Sequence, residues 1–164
     1  MKLAFIAARA LVFSAAFLWG WYWVMLRLQP LSRDWDASLP AWIAVPGIAL
    51  VLVGAVGIVA CVALFVVRGH GTPAIFDAPR RFVPVGPYKY VRNPMYLSAI
   101  AAFFGFGLYT RSLAVLAFAG AWFLMIHLFV VFIEEPGLRR RFGATYDAYV
   151  HRVRRWMPAG AAVR

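Results

Sequence analysis

Four apolar runs limit what this 164-residue chain can fold into: about Leu3 to Leu28, Ala41 to Val67, Met95 to Tyr109 and Leu113 to Ile133. A bilayer core of about 30 Å takes roughly 20 residues of helix to cross, and in lipid every backbone N–H and C=O must be satisfied within the span, which makes helix the natural form for such runs. Arg9 is the one charge within the body of the first run, with Arg27 at its C-terminal edge, and the second is uninterrupted. The third is short, so it either crosses at its minimum or closes a tight hairpin with the fourth, with Thr110, Arg111 and Ser112 as the turn. The expected fold is therefore an all-α integral membrane domain over residues 1–164, with about four transmembrane helices. Composition agrees, because a soluble domain could not hide the surface of a chain that is 64% apolar and 14% charged. The first run reads as a retained span, since Arg27, Gln29 and Pro30 follow it without a small-residue cleavage pattern. Cys61 reads as a small buried apolar residue.

Lysine and arginine in short loops stay on the cytoplasmic side. With four spans the two ends share a side, and all but Arg27, Arg33 and Arg111 of the 17 basic residues fall on it. The termini, the loop from Arg68 to Asn93 and the C-terminal tail are expected to be cytoplasmic; in a bacterium the membrane would be the inner one. The net charge of +11 then flanks the spans, where it meets anionic lipid headgroups and asks for no nucleic acid.

Two polar segments carry the chemistry. The first runs from Gly69 through His70, Asp77 and Pro79 to Val85-Gly86-Pro87-Tyr88-Lys89-Tyr90-Val91-Arg92-Asn93-Pro94-Met95-Tyr96. Its glycines and prolines forbid one long helix and predict an ordered loop that re-enters the membrane at Tyr96. The second begins at Glu134-Glu135-Pro136. From Phe142 its apolar positions step through Tyr146, Tyr149, Val153 and Trp156 at helical spacing with arginines opposite, which predicts an amphipathic helix on the inner surface. Two adjacent carboxylates at the hydrocarbon boundary are costly unless something positive meets them. Either Arg139, Arg140 and Arg141 supply that charge, or a cationic ligand does so from the cytoplasm.

Gly-Pro-Tyr-x-Tyr-x-Arg-Asn-Pro-x-Tyr, Glu-Glu-Pro-x-Leu and Phe-Gly-x-x-Tyr-x-x-Tyr-x-x-x-Val-x-x-Trp-x-Pro, in this order after hydrophobic spans, resemble the isoprenylcysteine carboxyl methyltransferase family and the related phospholipid methyltransferases. The resemblance covers roughly residues 68–158, leaving residues 1–67 as the first two spans. It implies an enzyme that uses S-adenosyl-L-methionine on a lipophilic acceptor, with the donor arriving from the cytosol and the acceptor from the bilayer. Carried over by position, cofactor contacts would come from Tyr88, Asn93, Pro94, Met95, Tyr96, Glu134 and Glu135, and from Arg80, Arg81, Phe82 and Val83. Arg92 and Asn93 are the catalytic candidates. Asn93 stands where the carboxyl methyltransferases usually carry His; the Asn-Pro-x-Tyr form, like Glu-Glu-Pro, is similar to phosphatidylethanolamine methyltransferases. Val130 stands a helical turn before Glu134, where eukaryotic carboxyl methyltransferases carry an arginine.

Methyl transfer is an in-line displacement at an activated carbon, so the protein need only align donor and acceptor and exclude water, without a metal or nucleophilic triad. The histidines are scattered: His70 in the glycine-rich loop, His127 inside the last span as a hydrogen-bonding partner for a neighbouring helix, and His151 in the tail. Trp19, Trp21, Tyr22 and Trp23 are expected in an outer interfacial belt, and Gly54 and Gly57 at a helix contact. Two alternatives stand beside the methyltransferase: an NADPH-dependent membrane reductase of sterol-reductase-like architecture, and a non-catalytic scaffold or transporter. A sulfonium wants nearby carboxylates, whereas a reductase must hold a 2′-phosphate.

Overall fold

The computed structural model describes residues 2–36, 39–69 and 84–158. Among these residues the regular elements are helical and no strand forms. α1 (Lys2–Leu28) passes through a 3-10 turn at Gln29–Ser32 into the single turn α2 (Arg33–Asp36). α3 (Ala44–Leu64) ends in a wide π turn at Phe65–Gly69. After a 3-10 turn at Gly86–Lys89 come α4 (Pro94–Tyr109) and α5 (Leu113–Phe129), the latter continuing through a second π turn at Val130–Glu134 into α6 (Glu135–Phe142). α7 (Ala144–Arg152) closes the described helices. Ala4–Trp35, Ala41–Arg68 and Leu113–Phe142 are continuous helical stretches long and apolar enough to cross a membrane, while α4 is the shorter apolar helix its sequence predicts.

The tightest contact is between α3 and α4, and glycine makes it possible. A Cβ on Gly54 would lie 2.5 Å from the Ser98 carbonyl oxygen and 2.8 Å from the Ala102 nitrogen, and one on Gly57 would strike the Ser98 hydroxyl. At Gly47 the same atom would meet Tyr109 and Gly105. Low numbers on α3 thus face high numbers on α4, so the two helices are antiparallel and their backbones approach as only small residues allow. Gly54 and Gly57 hold the packing role expected of them.

α5 returns from α4 through Thr110, Arg111 and Ser112, with Arg111 in the left-handed region at φ 53°. The start of α5 is capped twice: the Val115 amide donates to the Ser112 hydroxyl at 3.4 Å and the Ala114 amide to that of Ser32 at 3.0 Å. Ser32 follows α1 in the chain, so this cap also ties the C-terminal end of α1 to the α4–α5 hairpin. Trp21 adds an aromatic anchor, packing on Phe118 at 5.6 Å and on Trp122 and Phe103 at 6.2 and 6.3 Å between ring centroids. Of the belt expected in the first span, Trp19 and Trp23 are exposed on the helix surface. Trp21 instead turns inward, because its helix face meets the aromatic side chains of α4 and α5. Cys61 is fully buried, as its apolar run predicts.

The tail departs from one continuous amphipathic helix. Gly143, at φ 52° and ψ −132°, breaks it after Phe142, a backbone conformation that side-chain-bearing residues rarely adopt. At the other end Val153 is extended (φ −117°, ψ 126°), so Val153 to Trp156 lie beyond α7. The apolar spacing does mark one buried face: Tyr146, Tyr149 and Val153 cluster against Leu138, Phe142 and Val150. Trp156 leaves that face and donates its indole N–H to Nδ1 of His127 at 2.9 Å, so the partner of His127 is the non-helical tail beyond α7 rather than the neighbouring helix its position suggests.

Candidate active site

The segment leading into α4 and the tail are joined residue by residue. The Arg92 amide donates to the Arg154 carbonyl at 2.9 Å beside a parallel bridge between Val91 and Arg154. The Asn93 side-chain amide donates to the Arg155 carbonyl at 3.3 Å, and the Tyr149 hydroxyl to the Tyr88 carbonyl at 2.6 Å. Burial holds the phenols of Tyr88, Tyr146 and Tyr149 above their ordinary range, so they stay protonated and able to donate. Tyr88 itself lies against Phe65, with ring centroids 5.5 Å apart, and meets the Cys61 thiol. Asn93 precedes Pro94, the first residue of α4, and has non-helical backbone angles (φ −122°, ψ 54°), as a residue before proline at a helix start should.

The two adjacent glutamates sit in different surroundings. Glu135 is buried and held on both oxygens by Arg155, Nε on Oε1 at 2.7 Å and Nη2 on Oε2 at 2.9 Å. Arg92 Nη1 adds an ion pair to Oε1 at 3.0 Å. The hydrogen bond to Glu135 raises the pKa of Arg155, so the guanidinium stays charged. Arg139 makes its ion pair with Asp147 at 3.0 Å and acts on Glu135 only at longer range, so the direct contacts of Glu135 come from Arg155 and Arg92. Glu134 accepts the Tyr96 hydroxyl on Oε2 at 2.9 Å, and no lysine or arginine among the described residues pairs with it. It ends the π turn Val130–Glu134, a widened turn of the kind often found at functional sites.

Tyr96 connects that carboxylate to an apolar cavity of about 450 Å³. The cavity lies between α1, α3, α4 and α5, in the half of the bundle toward Glu134, and its walls include Met95, Tyr96 and Ala99 of α4 with Trp122 and Phe129 of α5. Of the sequence-predicted residues, Asn93, Pro94, Met95, Tyr96, Glu134 and Glu135 thus gather around one end of the bundle with Arg92. Tyr88 meets Cys61 and Phe65 and is within electrostatic reach of Glu134. Arg80, Arg81, Phe82 and Val83, like His70, fall outside the described residues. Arg155 and the α1 side of the cavity were not singled out by sequence reasoning; Arg155 read as one of several tail arginines, with no local signal of a partner 20 residues away.

The family model of the phospholipid methyltransferases matches residues 42–145. The match takes in α3, which the motifs leave out, and ends inside α7, before Arg155. No curated protein and no solved structure matches the chain significantly.

Proposed function

The chain belongs to the phospholipid methyltransferase family, and from that premise we propose that it transfers the methyl group of S-adenosylmethionine to a lipophilic acceptor drawn from the bilayer. The observation that carries this reading is the junction at Tyr96, one side of which lines the apolar cavity while its hydroxyl holds Glu134. A donor reaching Glu134 from the cytoplasmic side and an acceptor seated in the cavity would meet there. The residues fit the donor: Glu134 offers negative charge to a sulfonium, an ammonium or ribose hydroxyls and has no cationic partner among the described residues.

Glu135 takes a different part in this reading. Its charge is already met by Arg92 and Arg155, so it positions the loop at Arg92 and Asn93 rather than receiving the donor. When bound, S-adenosylmethionine supplies a methyl carbon already activated toward displacement. The protein's own contribution is alignment and a dry site: Tyr96 orients Glu134, the tail holds Arg92 and Asn93 in place, and the apolar walls keep water from the acceptor. In the expected topology α1, α3, α4 and α5 all span the bilayer, which puts this junction at the cytoplasmic face. A methyltransferase family leaves the reductase and scaffold alternatives without an observation in their favour.

Two measurements test the reading. Calorimetry in detergent should show S-adenosylhomocysteine binding at micromolar levels, roughly −8 kcal/mol. Incubation of the purified protein with radiolabelled S-adenosylmethionine and a fractionated lipid extract should place label in a lipid fraction, which then identifies the acceptor class. Saturable NADPH binding with no response to S-adenosylhomocysteine would overturn it.

A further inference from the structure

We infer that α1 is the acceptor-selecting wall of the cavity, and that Ala16 and Phe17 set how much apolar chain it admits. This rests on the cavity being the acceptor's seat, and it adds a selectivity element that lies outside the family core: the family match begins at residue 42, after α1 has ended.

α1 is held near its two ends. Ala10 is fully buried toward the N-terminal end, where the helix passes the Phe65–Gly69 turn. Trp21 and the buried Met25 anchor the C-terminal end in the aromatic core of α4 and α5. From Ala10 to Trp21 the helix advances about 16 Å, at about 1.5 Å per residue. Along this stretch Phe13, Ala16, Phe17 and Leu18 line the cavity, with Ile58 and Ala99 among the opposing residues. Phe13, Ala16 and Phe17 follow the 3 and 4 spacing of one helix face; Phe17 is half-exposed, and Leu11 and Val12, more exposed still, do not line the cavity. The occupant is an apolar lipid chain: the cavity is lined almost wholly by hydrocarbon and aromatic groups and lies among membrane-length helices, with Tyr96, Ser14 and Trp122 the described lining residues that carry a hydroxyl or ring N–H.

A wall made by side chains at fixed helix positions limits chain length by volume. Because the acceptor's chain arrives from the bilayer, already out of water, the selection is steric: a methylene that finds room costs little, and one that finds none must displace packed side chains or stay outside. Ala16→Phe fills the cavity, Phe17→Ala enlarges it, and Val12→Ala alters only a residue outside its lining.

The test uses the full chain in nanodiscs, radiolabelled S-adenosylmethionine, and phosphatidylethanolamines of short, medium and long acyl chain as probe acceptors. Alongside transfer, a phospholipid bearing a diazirine in its acyl chain is photo-crosslinked and its attachment to peptides containing Met95 or Met125 is measured. Ala16→Phe should move the kcat/KM preference toward shorter chains about tenfold, through KM, and lower the crosslinking. Phe17→Ala should move both the opposite way, and Val12→Ala neither, with S-adenosylhomocysteine affinity unchanged throughout. Crosslinking that follows the α1 variants without any methyl transfer would support the wall and refute the proposed reaction. Transfer with one chain-length profile and one crosslinking yield in every variant would overturn the wall and leave the reaction standing.

Discussion

Arg155 grips both carboxylate oxygens of Glu135, at 2.7 and 2.9 Å, across 20 residues of chain. This fork fastens the segment after α7 to the start of α6, while Arg154 and Arg155 present their carbonyls to Arg92 and Asn93. One interaction therefore sets the geometry of the tail and, through it, of the loop that leads into α4.

Breaking this fork should cost stability. Removing one partner of a fully buried ion pair costs about 3–5 kcal/mol, because the other charge is left uncompensated; with the Arg155 side chain 28% exposed, water screens part of this and the loss should lie at or below the lower end. Glu135→Gln strands Arg92 and Arg155, so its melting temperature should fall steeply. Arg155→Lys keeps the charge but loses the planar two-point grip, and should fall less. Thermal unfolding in one detergent gives the order, and a Glu135→Gln melting temperature equal to the parent's would remove Glu135 from its positioning role.

Glu134→Gln should behave in the opposite way. It keeps the shape and a partner for Tyr96 while deleting the charge, so S-adenosylhomocysteine affinity should drop by about one to two decades, the worth of a charge-assisted hydrogen bond of roughly 1.5–3 kcal/mol. The melting temperature should hardly move. Tyr96→Phe should lose less affinity, about 1 kcal/mol for a neutral hydroxyl. Dissociation constants and melting temperatures taken on the same preparations separate the two glutamates, and an unchanged constant for Glu134→Gln would end its assignment to the donor.

Two glycine-to-alanine substitutions should differ in sign. At Gly54 the added methyl meets the α4 backbone at 2.5 Å, so α3 and α4 must move apart, at a cost of about 1–3 kcal/mol. At Gly120, within α5, nothing lies within 4 Å and the loss of unfolded-state freedom should stabilise by about 0.4–1 kcal/mol. Paired melting curves would contradict the antiparallel glycine contact if Gly54→Ala were as well tolerated as Gly120→Ala.

Reporter fusions address the span count. Fusions after Arg81 and after Arg164 should read as cytoplasmic, and one after Asp36 as external. If the first two fall on opposite sides, the number of crossings is odd and α4 does not cross.

Sequence alone determined the helical membrane class, the turn at Thr110 to Ser112, the burial of Cys61, the helix contact at Gly54 and Gly57, and the family. Each rests on a local property: apolar length measured against a bilayer, small residues inside a span, or motif residues at fixed spacing. Only the tertiary structure decided which glutamate meets arginine. Glu134 and Glu135 are chemically alike and adjacent, yet successive helix residues point roughly 100° apart, and here a π turn ends between them. One carboxylate is thereby turned to Tyr96 and the other to Arg92 and Arg155, 43 and 20 residues away in the chain. The same holds for Trp21, whose inward direction depends on aromatic residues of α4 and α5, and for the cavity, whose α1 wall stands opposite helices that no periodicity within α1 names. Contacts between distant segments follow from how the helices pack, and that packing is a property of the whole bundle.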